Sequence, residues 1–147
     1  MATRGTAIII ENEFVSAGPE FNGDMYPHGH GDNFLQALSQ VENNIDFIKF
    51  NNRFNKYNFG YQGIMGKYQG KFKNEELKNN NYYDMNIITQ KNGPWITSDW
   101  IFIKNITNKQ QKIKDLNGKI INIRKNETIR FHFGKLMENG LHRMMAP

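Results

Sequence analysis

The chain has 147 residues, no cysteine, and 19 lysines and arginines against 14 aspartates and glutamates, for a formal net charge of +5. A chain of this length is expected to fold as a single domain, 1–147, burying roughly 70% of its unfolded surface, and without cysteine it has no disulfides, iron–sulfur clusters, thiolate zinc sites or cysteine nucleophiles. No apolar run approaches the ~20 residues that span a bilayer, and Ala7–Ile10 is too short for a signal-peptide core, so the expected location is a cytoplasm, the cell's own or a host's, and the positive surplus favours anionic partners.

In chain order, the first predicted elements are strands at Thr6–Glu11 and Phe14–Ala17, the second stopped by Gly18-Pro19. The segment Asn22–Asp32 has turn chemistry, and Asp32 is placed to cap a helix. Phe34, Leu38, Val41, Ile45 and Ile48 then recur at spacings of four, three, four and three, which predicts a helical face. A break at Asn43-Asn44 allows one helix or two, with Phe47, Phe50 and Phe54 lining the second. Between Lys56 and Lys73, Gly60, Gly63, Gly66 and Gly70 are interleaved with aromatics and lysines, the pattern of a loop or bulged hairpin. Lys73–Asn81 reads as a short exposed helix or a loop.

Strands are expected at Tyr83–Thr89 and Trp95–Ile103, around a turn at Asn92-Gly93-Pro94. Lys104–Lys114 is polar enough to be a long hairpin loop, and Lys112–Leu116 and Lys119–Ile123 flank Asn117-Gly118 as a type I′ hairpin. Thr128–Phe133 is the last expected strand, and the tail Lys135–Pro147 is expected to be a short helix. The class is α+β, a two-layer sandwich in which one or two helices cover a mostly antiparallel sheet. The asparagine clusters read as coding bias, and the glycosylation sequons at Asn105 and Asn126 as chance.

Two stretches carry candidate chemistry. Asp24-Met25-Tyr26-Pro27-His28-Gly29-His30-Gly31-Asp32 gathers two carboxylates, two histidines and a tyrosine. His28 and His30 in extended backbone project to one side, and Asp32 completes a three-ligand metal site, with His132 as a remote fourth donor. The same histidines suit acid–base work around phosphate. The plainer reading is a turn at Gly29 and Gly31 with exposed histidines, and for His132 an ordinary strand residue facing solvent. In the second stretch, Tyr61 offers a face for stacking and Lys67 and Lys71 track phosphates. Gly60-Tyr61-Gln62-Gly63 has the spacing of a backbone clamp; the plainer reading puts its aromatics in the core. There is no P-loop, dinucleotide fingerprint or nucleophile elbow, so no cofactor is expected and no catalytic residue is assigned.

The opening Thr3-Arg4-Gly5-Thr6, followed by Asp24-Met25-Tyr26-Pro27 and then Gly31 and a helix, resembles a family of small phage and bacterial proteins. Those begin Met-x-Thr-Arg and carry a His-Trp-Asp-Gly-Tyr-Pro signature before their first helix. The resemblance covers about the first forty residues, and Tyr83-Asp84-Met85 continues it. Asp24, Tyr26 and Pro27 hold the signature, whereas its His, Trp and Gly positions fall on Asn22, Gly23 and Met25, leaving His28 or His30 to substitute in space. The resemblance implies a phage-like origin and no particular reaction.

The leading expectation is a phage-like accessory protein that binds an anionic ligand, a nucleotide signal or nucleic acid, without catalysis. Arg4, Asp24, Tyr26, His28, His30, Tyr61, Lys67 and Lys71 are its candidate binding residues. For Arg4, an ion pair with Asp24 competes with a phosphate. The alternatives are a small, metal-dependent hydrolase using Asp24, His28, His30 and Asp32, and a virion or assembly protein. A homo-oligomer is expected.

Overall fold

The computed structural model describes residues 3–12, 14–18, 21, 23–56, 70–73, 81–85, 99–115, 117–132 and 141–145. Its central strand, β1 (Gly5–Glu11), is buried from Gly5 through Ile10, as befits a strand whose apolar run is covered on both faces. β1 pairs antiparallel with β2 (Phe14–Ala17) on one edge. β2 in turn pairs with β3 (Gly70–Lys73). On its other edge, lying past β4 (Tyr83–Asp84) in the chain, β5 (Trp100–Asn105) joins β1 in parallel. β6 (Gln111–Lys114) and β7 (Ile120–Ile123) form a hairpin, and β8 (Glu127–His132) lies between β5 and β9 (His142–Met145). The large sheet therefore has the order β3-β2-β1-β5-β8-β9, and the small one β4-β6-β7.

Alternation along the strands decides what each face covers. Ala7, Ile9 and Phe102 face α1 (Asp32–Ser39) and α2 (Asn44–Lys56), where they meet Phe21, Phe34, Phe47, Phe50 and Phe54. Phe34 is the hub, with ring centroids 4.8 Å from both Phe50 and Phe102 and 4.9 Å from Phe54, within the range where aromatic pairs add to burial. Ile8, Ile10, Ile101, Ile103 and Ile129 point the other way, onto Tyr83, Met85, Ile113 and Ile123. The fold is α+β, with two helices on a mostly antiparallel sheet, and the small sheet covers that sheet's opposite face. Among the described residues no helix is long and apolar enough to cross a membrane.

Several expected elements are redrawn. The chain does break before Asn44: the Asn43 side chain accepts a bond from the Asp46 N–H (2.8 Å), and Asp46 accepts one from Glu42 (3.1 Å), restarting the helix. The periodic face stops at Val41, so Ile45 and Ile48 stand 65% and 45% exposed while Phe47, Phe50 and Phe54 turn inward. The Asn117-Gly118 hairpin closes through five residues, since Lys114 pairs with Ile120. Among the described residues there only Gly118 has positive φ, and Asp115 Oδ1 accepts from the N–H groups of Asn117 and Lys119, replacing the type I′ turn by an Asx-type loop. The expected loop Lys104–Lys114 contains the end of β5 and all of β6. The tail is not helical at His142–Met145, which pairs with β8 as an edge strand. Of the strand expected at Tyr83–Thr89, Tyr83–Asp84 forms β4, while its remainder from residue 86, the turn at residues 92–94 and residues 74–80 lie outside the described residues.

α1 is pinned at both ends by charge. At its C-terminal end Lys104, 2% exposed, reaches up from β5 and donates to the carbonyls of Ser39 (2.7 Å) and Val41 (2.6 Å). Burial pushes the Lys104 ammonium below its ordinary value, against the opposing pull of Glu42 and Asp46. A cation at this end complements the helix dipole, and it bonds carbonyls that the helix leaves open. Lys104→Met keeps the volume and strands those carbonyls, so it should cost about 3 kcal/mol. Calorimetry should show a Tm lower by roughly 6 to 12 °C; an unchanged Tm would show that the two carbonyls do not depend on Lys104.

Candidate functional site

Three strand ends meet where β1 and β5 begin and β8 finishes, and backbone bonds bring the N-terminal loop to the same place. The Trp100 N–H donates to Arg4 O (3.0 Å), the Arg4 N–H to Asp99 Oδ2 (2.8 Å), and the Met25 N–H to Thr3 O (3.0 Å). The loop then folds on itself, with His30 N–H on Asp24 O (2.6 Å) and Gly31 N–H on Tyr26 O (3.0 Å). Pro27–Gly31 forms a wide π-type turn that departs from helical winding at Gly29 and runs into α1. Glycine is required at position 31 because a Cβ there would meet the carbonyl oxygens of Met25 and Tyr26.

Asp32 is the first residue of α1, not its cap: the cap position is Gly31 and no side chain bonds there. The Asp32 carboxylate instead takes a 2.6 Å bond from Arg130 NH1 of β8. The two partners differ sharply, the Asp32 side chain being 63% exposed and that of Arg130 only 7%. The guanidinium carbon lies 5.6 Å from the Trp100 ring centroid, and the His132 ring lies 4.5 Å from it. Among the described residues, Arg130 Nε is buried without a hydrogen-bond partner, as is Thr128 Oγ1 two residues earlier on the same strand face. Burial beside Trp100 pushes His132 below the ordinary imidazole value, and the Asp99 carboxylate only partly opposes this.

The structure thus gathers Arg4, Asp24, Tyr26, His28, His30 and Asp32 at one end of the large sheet, with Tyr26 41% exposed. The carboxylate beside Arg4 is Asp99, 4.0 Å from its Nε. His28, His30 and Asp32 do not form the expected metal site: among the described residues no three histidines or carboxylates could together hold an ion. Asp32 is committed to Arg130, and His132 packs on Trp100 instead of facing solvent. Lys71 lies on β3, on the opposite flank of β1 from Arg130, and Tyr61, Lys67 and the 60–63 glycine motif lie outside the described residues.

Asp99, Trp100 and Arg130 were not foreseen. Their one signal is the alternation Thr128-Ile129-Arg130-Phe131-His132, which puts Arg130 and His132 on one face of a strand whose other residues are core. Two further features are structural. Glu127, fully buried, accepts two 2.7 Å bonds from Arg143 and others from Arg124; burial would raise its carboxyl, but those bonds outweigh it and hold it below the ordinary range. A groove of about 200 Å³ between α1 and α2 sets Lys49 and Arg53 against Asp46, two cations to one carboxylate. No family model, curated protein or solved structure matches the chain.

Gly31→Ala should cost about 2 kcal/mol, because the new methyl has only backbone to displace. His28→Ala, at an exposed position, should stay within about 0.5 kcal/mol in the same denaturant titration. Equal losses would mean that the histidine holds the turn together. For His132 the sign is set by its lowered folded-state value. As pH falls below the ordinary value of 6.5, the unfolded chain takes the proton first, so stability declines until the folded-state value is passed. His132→Gln should flatten the fall in Tm between about pH 7.5 and pH 5; identical slopes would place the acid sensitivity elsewhere.

Proposed function

We propose that the protein is a phage-type accessory factor that captures an anionic ligand, a nucleotide or the phosphate of a nucleic acid, at the Arg130 end of the large sheet and performs no reaction on it. The observation that carries this reading is an arginine side chain 7% exposed that, among the described residues, bonds only an exposed carboxylate at a helix start and leaves its Nε without a partner. A buried charge is costly unless an anion and full hydrogen bonding compensate it. A phosphate has enough acceptor oxygens to satisfy the guanidinium and lies well at a helix N-terminus.

Other features agree. Tyr26 presents an exposed ring on the adjoining loop, a surface on which a base can stack. The net charge of +5 draws anions from a distance. Of the serine hydroxyls, Ser16 bonds Asn44 and Ser39 bonds the Gln36 carbonyl, so neither is set against a base.

Titration calorimetry with AMP at low salt tests the reading. The protein should bind, and Arg130→Gln should weaken binding by about tenfold or more, the worth of a charge-assisted contact. Arg53→Gln, in the groove between the helices, should change nothing. Equal affinity in the Arg130 variant and the parent would remove Arg130 as the anchor.

A further inference from the structure

We infer that Asp32 is a built-in competitor for this site and sets its affinity: its carboxylate holds the ligand's place on Arg130, and any anion must displace it to bind. The inference rests on the reading of Arg130 as the anion anchor. It follows from the unequal surroundings of the two ends of one bond. The guanidinium is fixed, 7% exposed and packed beside Trp100 under α1. It cannot be left without a counter-charge, since removing one partner of a buried pair is far more costly than exchanging it. The carboxylate is free to move. Its side chain is 63% exposed, and its one described bond is the 2.6 Å contact with Arg130. Rotation about χ1 takes it into solvent from the first residue of α1 without uncovering the core.

Exchange therefore carries a cost that every anion shares. A singly charged ligand replaces one carboxylate by its equivalent and leaves the displaced Asp32 close by, repelling it. A terminal phosphate, with its second charge and three acceptor oxygens, still gains. It stays at the favourable end of the helix dipole.

Asp32→Asn tests this, because the amide still accepts a bond from Arg130 but carries no charge. AMP, with a terminal phosphate, and cyclic AMP, a singly charged diester, serve as probes at low salt. The parent should prefer AMP. In Asp32→Asn both should bind more tightly, on the order of tenfold, and AMP by at least as much as cyclic AMP, because the displaced carboxylate repels a dianion more than a monoanion. Asp32→Ser, which also suits a helix start, should repeat the result if the asparagine variant folds poorly. If Arg130→Gln abolishes binding but neither Asp32 variant tightens it, the competitor role is wrong and the anchor stands. If Arg130→Gln leaves AMP binding intact, the anchor itself is wrong and this inference falls with it.

Discussion

β1 is hydrogen-bonded on both edges and covered on both faces, and leaving any of those four sides open would be costly. An unpaired backbone group in the interior forfeits about the value of a hydrogen bond, and each exposed isoleucine returns roughly 1.5 to 3 kcal/mol of transfer energy. The Ala7–Ile10 run therefore demands two neighbours and two layers. β2 is local and comes from a tight turn through Asn12, whose φ of 56° lies in the region that asparagine tolerates. The second neighbour, β5, comes from far along the chain and runs parallel, so no hairpin can supply it. With the helices on one face and the small sheet on the other, the remaining strands extend a pattern already set.

Polar groups in this interior sit where elements must be tied together. Lys104 binds α1 to β5 at one end of the helix and Arg130 binds it to β8 at the other. Next to Lys104 on the opposite sheet face, Asn105 is fully buried. Its amide donates to the carbonyls of Lys109 and Ile123 and its oxygen accepts from the Thr107 N–H, joining the end of β5 to the turn before β6 and to β7. A glycan at this sequon is sterically excluded by that burial. The Asp32–Arg130 contact stands apart from these ties because one partner is half in water. The proposed ligand exchange rests on that asymmetry, which Lys104 and Asn105 lack.

Much of the fold was legible in the sequence, because burial and periodicity are linked locally. The continuous run at Ala7–Ile10 announced a strand, and Asn43-Asn44 announced the helix break. Long-range pairing was not legible. Leu141 to Met144 have helical propensity, yet Arg143 is drawn into an edge strand by the buried Glu127. Ile45 and Ile48 continued a periodic pattern whose phase restarted at Asn44. The site was half visible. The Asp24–Asp32 loop stood out by composition, and it lies at the Arg130 end of the sheet. Its partners Trp100 and Arg130 did not stand out, since only the register Trp100↔His132 brings them together. The expected metal ligands failed for a related reason: turn geometry and the Arg130 pair claimed Asp32 first.

The parallel pairing of β1 with β5 has a consequence for how the molecule is made. The paired residues are separated by 95 positions, so at synthesis rates of about 5–20 residues per second the first strand waits roughly 5 to 20 s for its neighbour to be translated. Through that interval an all-apolar strand has one open edge, a template for pairing with other chains. The ribosome-bound chain therefore has a window of vulnerability that the finished protein lacks. Translation speed between β2 and β5, or a holding chaperone at the exit tunnel, would govern yield more than the stability of the native state.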